Sequence, residues 1–102
     1  MTTDIVNFLK KKARQSNCRF RVSAIGLNHK GEIVGSTFNH LNLPKRNGGV
    51  HAEVRLLRRY GNHIKTIIIC RVGHGGDIRP IRPCVNCYKV ATKMGVKIIS
   101  IQ

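Results

Sequence analysis

Val50-His51-Ala52-Glu53-Val54, read with Arg82-Pro83-Cys84-Val85-Asn86-Cys87 further along, decides how this chain is organised. Together the two stretches supply one imidazole, two thiols and one spare carboxylate. Little else in the chain offers comparable chemistry. Cys84 and Cys87 are three apart, which at the start of a helix places both sulfurs on one face, within reach of a single ion. His51 and Glu53 are two apart and do not face each other along a helix flank, so they converge only on something off the helix N-terminus. One imidazole and two thiolates form a donor set that suits zinc and leaves a fourth tetrahedral position open. Glu53 is then not needed as a ligand, and a carboxylate beside an activated water is a natural proton shuttle.

Two other readings use the same residues. A structural zinc site normally has four protein ligands, and the fourth would have to come from His74, Cys70 or another distant group, leaving Glu53 without a use. A redox Cys-x-x-Cys pair would leave both His51 and Glu53 idle.

Working outward, a helix beginning at His51 is expected, with Val54, Leu57 and Tyr60 on its inner stripe, Arg55, Arg58 and Arg59 outside, and Gly61 as its stop. Lys65 to Val72, with Ile67-Ile68-Ile69 at its centre, reads as an interior parallel strand covered on both faces, and Cys70 as a core residue. Gly73-His74-Gly75-Gly76-Asp77 is a loop, with His74 most simply a loop histidine. A third helix starts near Cys84, with Cys87, Val90, Ala91 and Met94 as its buried stripe and Gly95 as its end. Val96 to Ile101 is a last strand.

Toward the N-terminus, Asn39 to Gly49 is a polar loop carrying Lys45 and Arg46, a candidate substrate gate directly before His51. Cys18 to Leu27 and Glu32 to Phe38 form a hairpin across Asn28-His29-Lys30-Gly31. In its first strand Phe20, Val22 and Ala24 alternate with Arg19, Arg21 and Ser23, and Cys18 is a strand-end core residue. Thr2-Thr3-Asp4 caps a first helix whose core stripe is Ile5, Phe8, Leu9 and Ala13. Its Lys10-Lys11-Lys12 run, with Arg14, suits the C-terminal dipole and reads as a solvated face in preference to a phosphate grip. The order is α-β-β-α-β-α-β.

A chain of 102 residues is expected to form one compact domain, residues 1–102. Nineteen Lys and Arg against four Asp and Glu give a net charge of +15. Such a field attracts polyanions, so nucleic acid or phosphorylated substrates lead, with a general solubility field as the alternative. No apolar run approaches the roughly 20 residues of a membrane span and nothing resembles a signal peptide. Four cysteines could make two disulfides, but two read as ligands and Cys70 as core, which fits an intracellular, cytoplasmic setting better.

The ordered pair H-x-E and P-C-x-x-C, on the helix starts of an α-β-β-α-β-α-β chain, resembles the cytidine deaminase-like superfamily over nearly the whole length. The resemblance implies a three-layer α/β/α fold. Its mixed sheet has about four strands, lacks the usual fifth strand, and begins with an antiparallel hairpin. It also implies one Zn2+ per chain between two helix N-termini, held by His51, Cys84 and Cys87 with water or hydroxide in the fourth position. Glu53 is implied as the catalytic proton carrier. Histidine in the first ligand position is similar to the deoxycytidylate, tRNA-adenosine and polynucleotide-editing branches. These place an asparagine that contacts the substrate sugar shortly after the second strand; Asn39 fits that place, with Asn42 as a second candidate. Ala52, Lys45, Arg46 and Arg82 complete the expected substrate contacts, with Arg79 near the mouth.

The expected function is hydrolytic deamination of cytosine to uracil in a deoxycytidylate-like nucleotide or a single-stranded nucleic acid. A pyrimidine needs only a small pocket, which favours cytosine over adenine. The alternatives are adenosine deamination in tRNA or another nucleic acid, and a non-catalytic nucleic-acid-binding module with structural zinc. With no Trp, two Tyr and three Phe, base-stacking platforms are scarce for a strand binder. A nucleotide or single strand is thus the expected partner, with no membrane and with homo-oligomerisation carried by the family and the small core.

Overall fold

Ile67, Ile68 and Ile69 lie at the centre of the sheet, and their alternation sorts the whole core into two layers. The structure is a computed structural model that describes residues 3–16, 21–38, 40–41, 49–50, 52–73, 75–81 and 85–101. Helix α1 (Thr3–Ala13) leads into β1 (Arg21–Leu27) and β2 (Ile33–Phe38), followed by the short β3 (His40–Leu41) and β4 (Gly49–Val50). Then come α2 (Ala52–Tyr60), a 3-10 turn (Gly61–His63), β5 (Thr66–Val72), β6 (Ile78–Arg79), α3 (Val85–Lys93) and β7 (Lys97–Ser100). The α-β-β-α-β-α-β frame is as predicted, within a few residues at each end.

Strand β5 is flanked on one side by β1, which continues to β2, and on the other by β7 and β6. It runs antiparallel to β1 and β6 and parallel to β7. The sequence predicts an interior parallel strand. β5 is interior, but only its β7 neighbour is parallel; the apolar run reports burial on both faces, which does not depend on strand direction. Because successive side chains point to opposite faces, Ile67 and Ile69 join Val22, Ala24, Leu56, Leu57, Ile64, Ala91 and Val96 on the α2/α3 side. Ile68, Cys70 and Val72 join Ile25, Leu9 and Ala13 on the α1 side.

Further details differ from the sequence reading. Phe8 is 43% exposed, because the stripe centres on Ile5, Val6, Leu9 and Ala13, and at about 100° per residue Phe8 points roughly a quarter-turn away. Val90 is likewise exposed, while Cys87 and Ala91 are buried. The expected loop 39–49 has its ends joined as a two-stranded ribbon, His40 opposite Val50 and Leu41 opposite Gly49. Among the described residues the sheet has five strands, in keeping with the mixed sheet of about four that was expected, the additional member being the two-residue β6. Within the lysine run, Lys12 lies over the Phe38 ring at 5.5 Å, so one of these cations ties α1 to β2.

Ser23 does not face outward as the alternation predicts. It is fully buried, and its hydroxyl donates to the Leu9 carbonyl at 2.6 Å, joining β1 to α1. Ser23→Ala removes that bond inside the core, and a loss of about 1–2 kcal/mol is expected, read as a lower urea midpoint at unchanged m.

Turn chemistry sets the remaining geometry. In the hairpin the Asn28 side-chain oxygen accepts from the N–H of Lys30 (2.9 Å) and of Glu32 (3.0 Å), with Gly31 at φ 82°. Helix α3 ends in a Schellman pattern: Val96 N–H donates to Ala91 O (2.8 Å) and Gly95 N–H to Thr92 O (3.1 Å), with Gly95 at φ 72°. Gly95→Ala forces a side chain into that left-handed conformation. It should cost about 1 kcal/mol in thermal or denaturant unfolding.

Candidate active site

Short connections aim both motif-bearing helices at one end of the sheet. Helix α2 is joined through the turn at 61–63 to the start of β5, so its N-terminus, about 13 Å away along the axis, lies toward the Val72 end. Three residues link α3 to β7, whose first residue Lys97 pairs with Thr66, so α3 also begins at the Val72 end. The helices start at Ala52 and Val85, inside the two motifs. Their N-terminal N–H groups and dipoles provide a positive environment that favours thiolate and other anions.

Cys87 is the third residue of α3 and 1% exposed. It is not in a disulfide, and its place in the first turn suits a ligand thiolate. Ala52 and Glu53 are the first two residues of α2. His51, Cys84, Asn39, Lys45, Arg46 and Arg82 lie outside the described residues, as do Asn42, His74 and Cys18. Among the described residues no group of three metal-binding side chains occurs. Cys70 is a core thiol in the α1 layer; burial raises its pKa, with Lys10 pulling partly the other way. Such a buried thiol suits the core role read from the sequence. Arg79, expected near the mouth, is bound to the Asp77 carboxylate at 2.8 Å, so its charge is already partnered.

The donor set fits zinc: one imidazole and two thiolates, of which the described thiol sits buried in a helix first turn. Among the described residues no helix is long and apolar enough to cross a membrane.

Two residues at this end of the sheet read in the sequence only as a solvated helix end, Arg14, and an outward-facing strand position, Arg21, with no shared role. Arg21 pairs in register with Val72, and Arg14, just past α1, shares a cavity with it. Their lack of any shared sequence pattern is why periodicity passed over them.

Solved structures show the same fold. Cytidine deaminase from Burkholderia pseudomallei superposes with a TM-score of 0.68 at 19% identity, covering 100% of this chain and 87% of that one. Cytidine deaminase from Mycobacterium tuberculosis gives 0.65 at 18%, covering 100% and 86%. The dCMP deaminase of cyanophage S-TIM5, in complex with dCMP and dUMP, gives 0.60 at 21%, covering 98% and 82%. No curated protein sequence matches the chain. The family described as "Cytidine and deoxycytidylate deaminase zinc-binding region" matches residues 3–102. Nearly every residue, both motif-bearing helices included, falls within that match, and the chain belongs to this zinc-binding deaminase family.

Proposed function

We propose that the protein is a zinc-dependent hydrolase converting cytosine to uracil in a nucleotide or single-stranded nucleic acid. The observation that carries this reading is the convergence of α2 and α3, each starting inside one motif, on the Val72 end of the sheet. His51, Cys84 and Cys87 would hold one Zn2+. When bound, the ion supplies the Lewis acidity that makes water a nucleophile at neutral pH. Glu53 takes the proton of the attacking water and passes protons to the ring nitrogen and the departing ammonia. The N–H groups of the two helix starts hold negative charge on the thiolates.

Asn39 and Ala52 are assigned to the sugar and base, and Lys45, Arg46 and Arg82 to phosphate at the mouth. A pyrimidine suits a small pocket, and the net charge of +15 suits a phosphate-bearing substrate. Thiolate ligands stay reduced inside the cell, which supports a cytoplasmic setting. A homo-oligomer belongs to this reading because the core is small, and light scattering that shows only monomer at high concentration would remove it.

The test is mass spectrometry of products from zinc-loaded protein offered cytidine, deoxycytidylate, single-stranded DNA, single-stranded RNA and a tRNA. Uracil in any cytosine substrate is the expected result, and the substrate that yields it separates mononucleotide from polymer. Inosine in the tRNA alone would replace cytosine by adenine. No product from folded, zinc-bound protein would favour the binding module.

A further inference from the structure

A cavity at the Val72 end of the sheet belongs to neither motif. It measures about 270 Å³ and is lined by Arg14, Arg21, Val72, Gly73, Gly75 and Gly76. Three elements bring these residues together. Arg14 follows the last turn of α1, with its N–H bonded to the Lys10 carbonyl at 3.3 Å. Arg21 opens β1 opposite Val72. The glycines form the β5–β6 turn, closed by Gly76 N–H to Gly73 O at 3.0 Å and by Gly73 N–H to Asp77 O at 2.8 Å. Gly76 has φ 83°, and a Cβ there would stand 3.3 Å from Arg14 Nη2. The bare turn is what lets the guanidinium lie against it.

Charge decides which ligand such a cavity takes. The chain has four acids. Asp4 is in the first turn of α1, about 15 Å along the helix from Arg14. Glu32 sits in the β1–β2 hairpin, at the opposite end of β1 from Arg21. Glu53 is in α2, on the other face of the sheet. Asp77 is near, its Oδ1 2.9 Å from where a Cβ on Gly73 would lie, but its Oδ2 is bound to Arg79 at 2.8 Å. Arg14 and Arg21 therefore line one pocket, and the Asp77 carboxylate beside its glycine turn is paired with Arg79. Their planar forks match phosphate oxygens, and a glycine turn admits an anion close to backbone.

We propose that this cavity is a phosphate-binding site, on the α1 face of the same sheet end. It would take either the phosphate of the substrate nucleotide or a neighbouring phosphodiester of the strand that carries the reacting base. The source of the phosphate rests on the deaminase reading; the binding itself does not.

Titration of inorganic phosphate, then pyrophosphate, into the full chain followed by NMR tests the site without any turnover. Saturable shifts are expected at the Gly75 and Gly76 amides and at the Arg14 and Arg21 side-chain N–H groups. They should vanish in Arg14→Gln/Arg21→Gln. They should persist in Lys30→Gln/Lys93→Gln, which removes the same charge from exposed positions at the other end of the molecule. Shifts spread over all basic residues, or lost equally in both variants, would overturn the proposal.

In kinetics, Arg14→Gln/Arg21→Gln should raise KM for the phosphate-bearing substrate by about tenfold or more and leave unphosphorylated cytidine unchanged. An effect on deoxycytidylate identifies the substrate's own phosphate, and one confined to single-stranded oligonucleotide identifies a neighbouring phosphodiester. An equal rise for cytidine removes the phosphate role. A protein that binds phosphate at the turn but deaminates nothing keeps the site and loses the deaminase reading. One that deaminates without shifts at the turn loses the site alone.

Discussion

Glu53→Gln is expected to lower kcat by about 10²–10⁴-fold, the range of a positioned general acid–base group, with little change in KM. The amide has nearly the shape of the carboxylate but cannot accept the proton of the attacking water. Glu53 is the second residue of α2, so losing its charge weakens a favourable dipole interaction by only about 0.3–1 kcal/mol, and the fold should persist. Zinc content measured by elemental analysis separates the roles. Glu53→Gln should retain the metal, whereas His51→Ala, Cys84→Ser and Cys87→Ser should lose most of it. Full activity in Glu53→Gln would end its assignment as proton carrier, and loss of zinc with activity would make it a ligand instead.

The second large effect is structural. Gly35→Ala is expected to destabilise the protein by about 2–3 kcal/mol, the upper part of the overpacking range, a substantial share of the roughly 5–15 kcal/mol that holds a domain folded. A Cβ on Gly35 would run into the Tyr60 ring at Cε2, Cζ and the hydroxyl. Gly26, its partner across the β1–β2 ladder, would place a Cβ 2.6 Å from Ile64 Cδ1. The paired glycines thus make a notch on the α2 face that seats Tyr60 at the end of α2 and Ile64, a buried residue just beyond it. That notch lets the C-terminal end of α2 lie close on the sheet. Denaturant midpoints of Gly35→Ala, Tyr60→Ala and the double variant provide the check. The double variant should be more stable than the sum of the two losses predicts, because Tyr60→Ala removes the collision. Strict additivity would mean that the notch is not what seats the helix.

The two motifs, the helix and strand alternation and the hairpin turn were all legible in the sequence. Each rests on a pattern within a few residues: three between the cysteines, two between His51 and Glu53, a run of β-forming residues along a strand. Cys70 also read correctly as core, because its neighbours Ile67-Ile68-Ile69 leave a strand no exposed face. Phe8 and Val90 misled because a helical stripe is only about 100° wide, and one-dimensional spacing does not say which residue sits at its edge.

What the sequence by itself determined is the chemistry on offer, one imidazole, two thiols and a carboxylate in two motifs, and the order of elements that carries it. Only the tertiary structure decided that β5 is antiparallel to β1, that Ser23 bonds the Leu9 carbonyl, that Gly26 and Gly35 make one notch, and that Arg14 and Arg21 meet at a glycine turn. Those partners are distant in sequence or come from different elements. Strand register and the packing of helices on two faces bring them together, and neither is written into the period of any single segment.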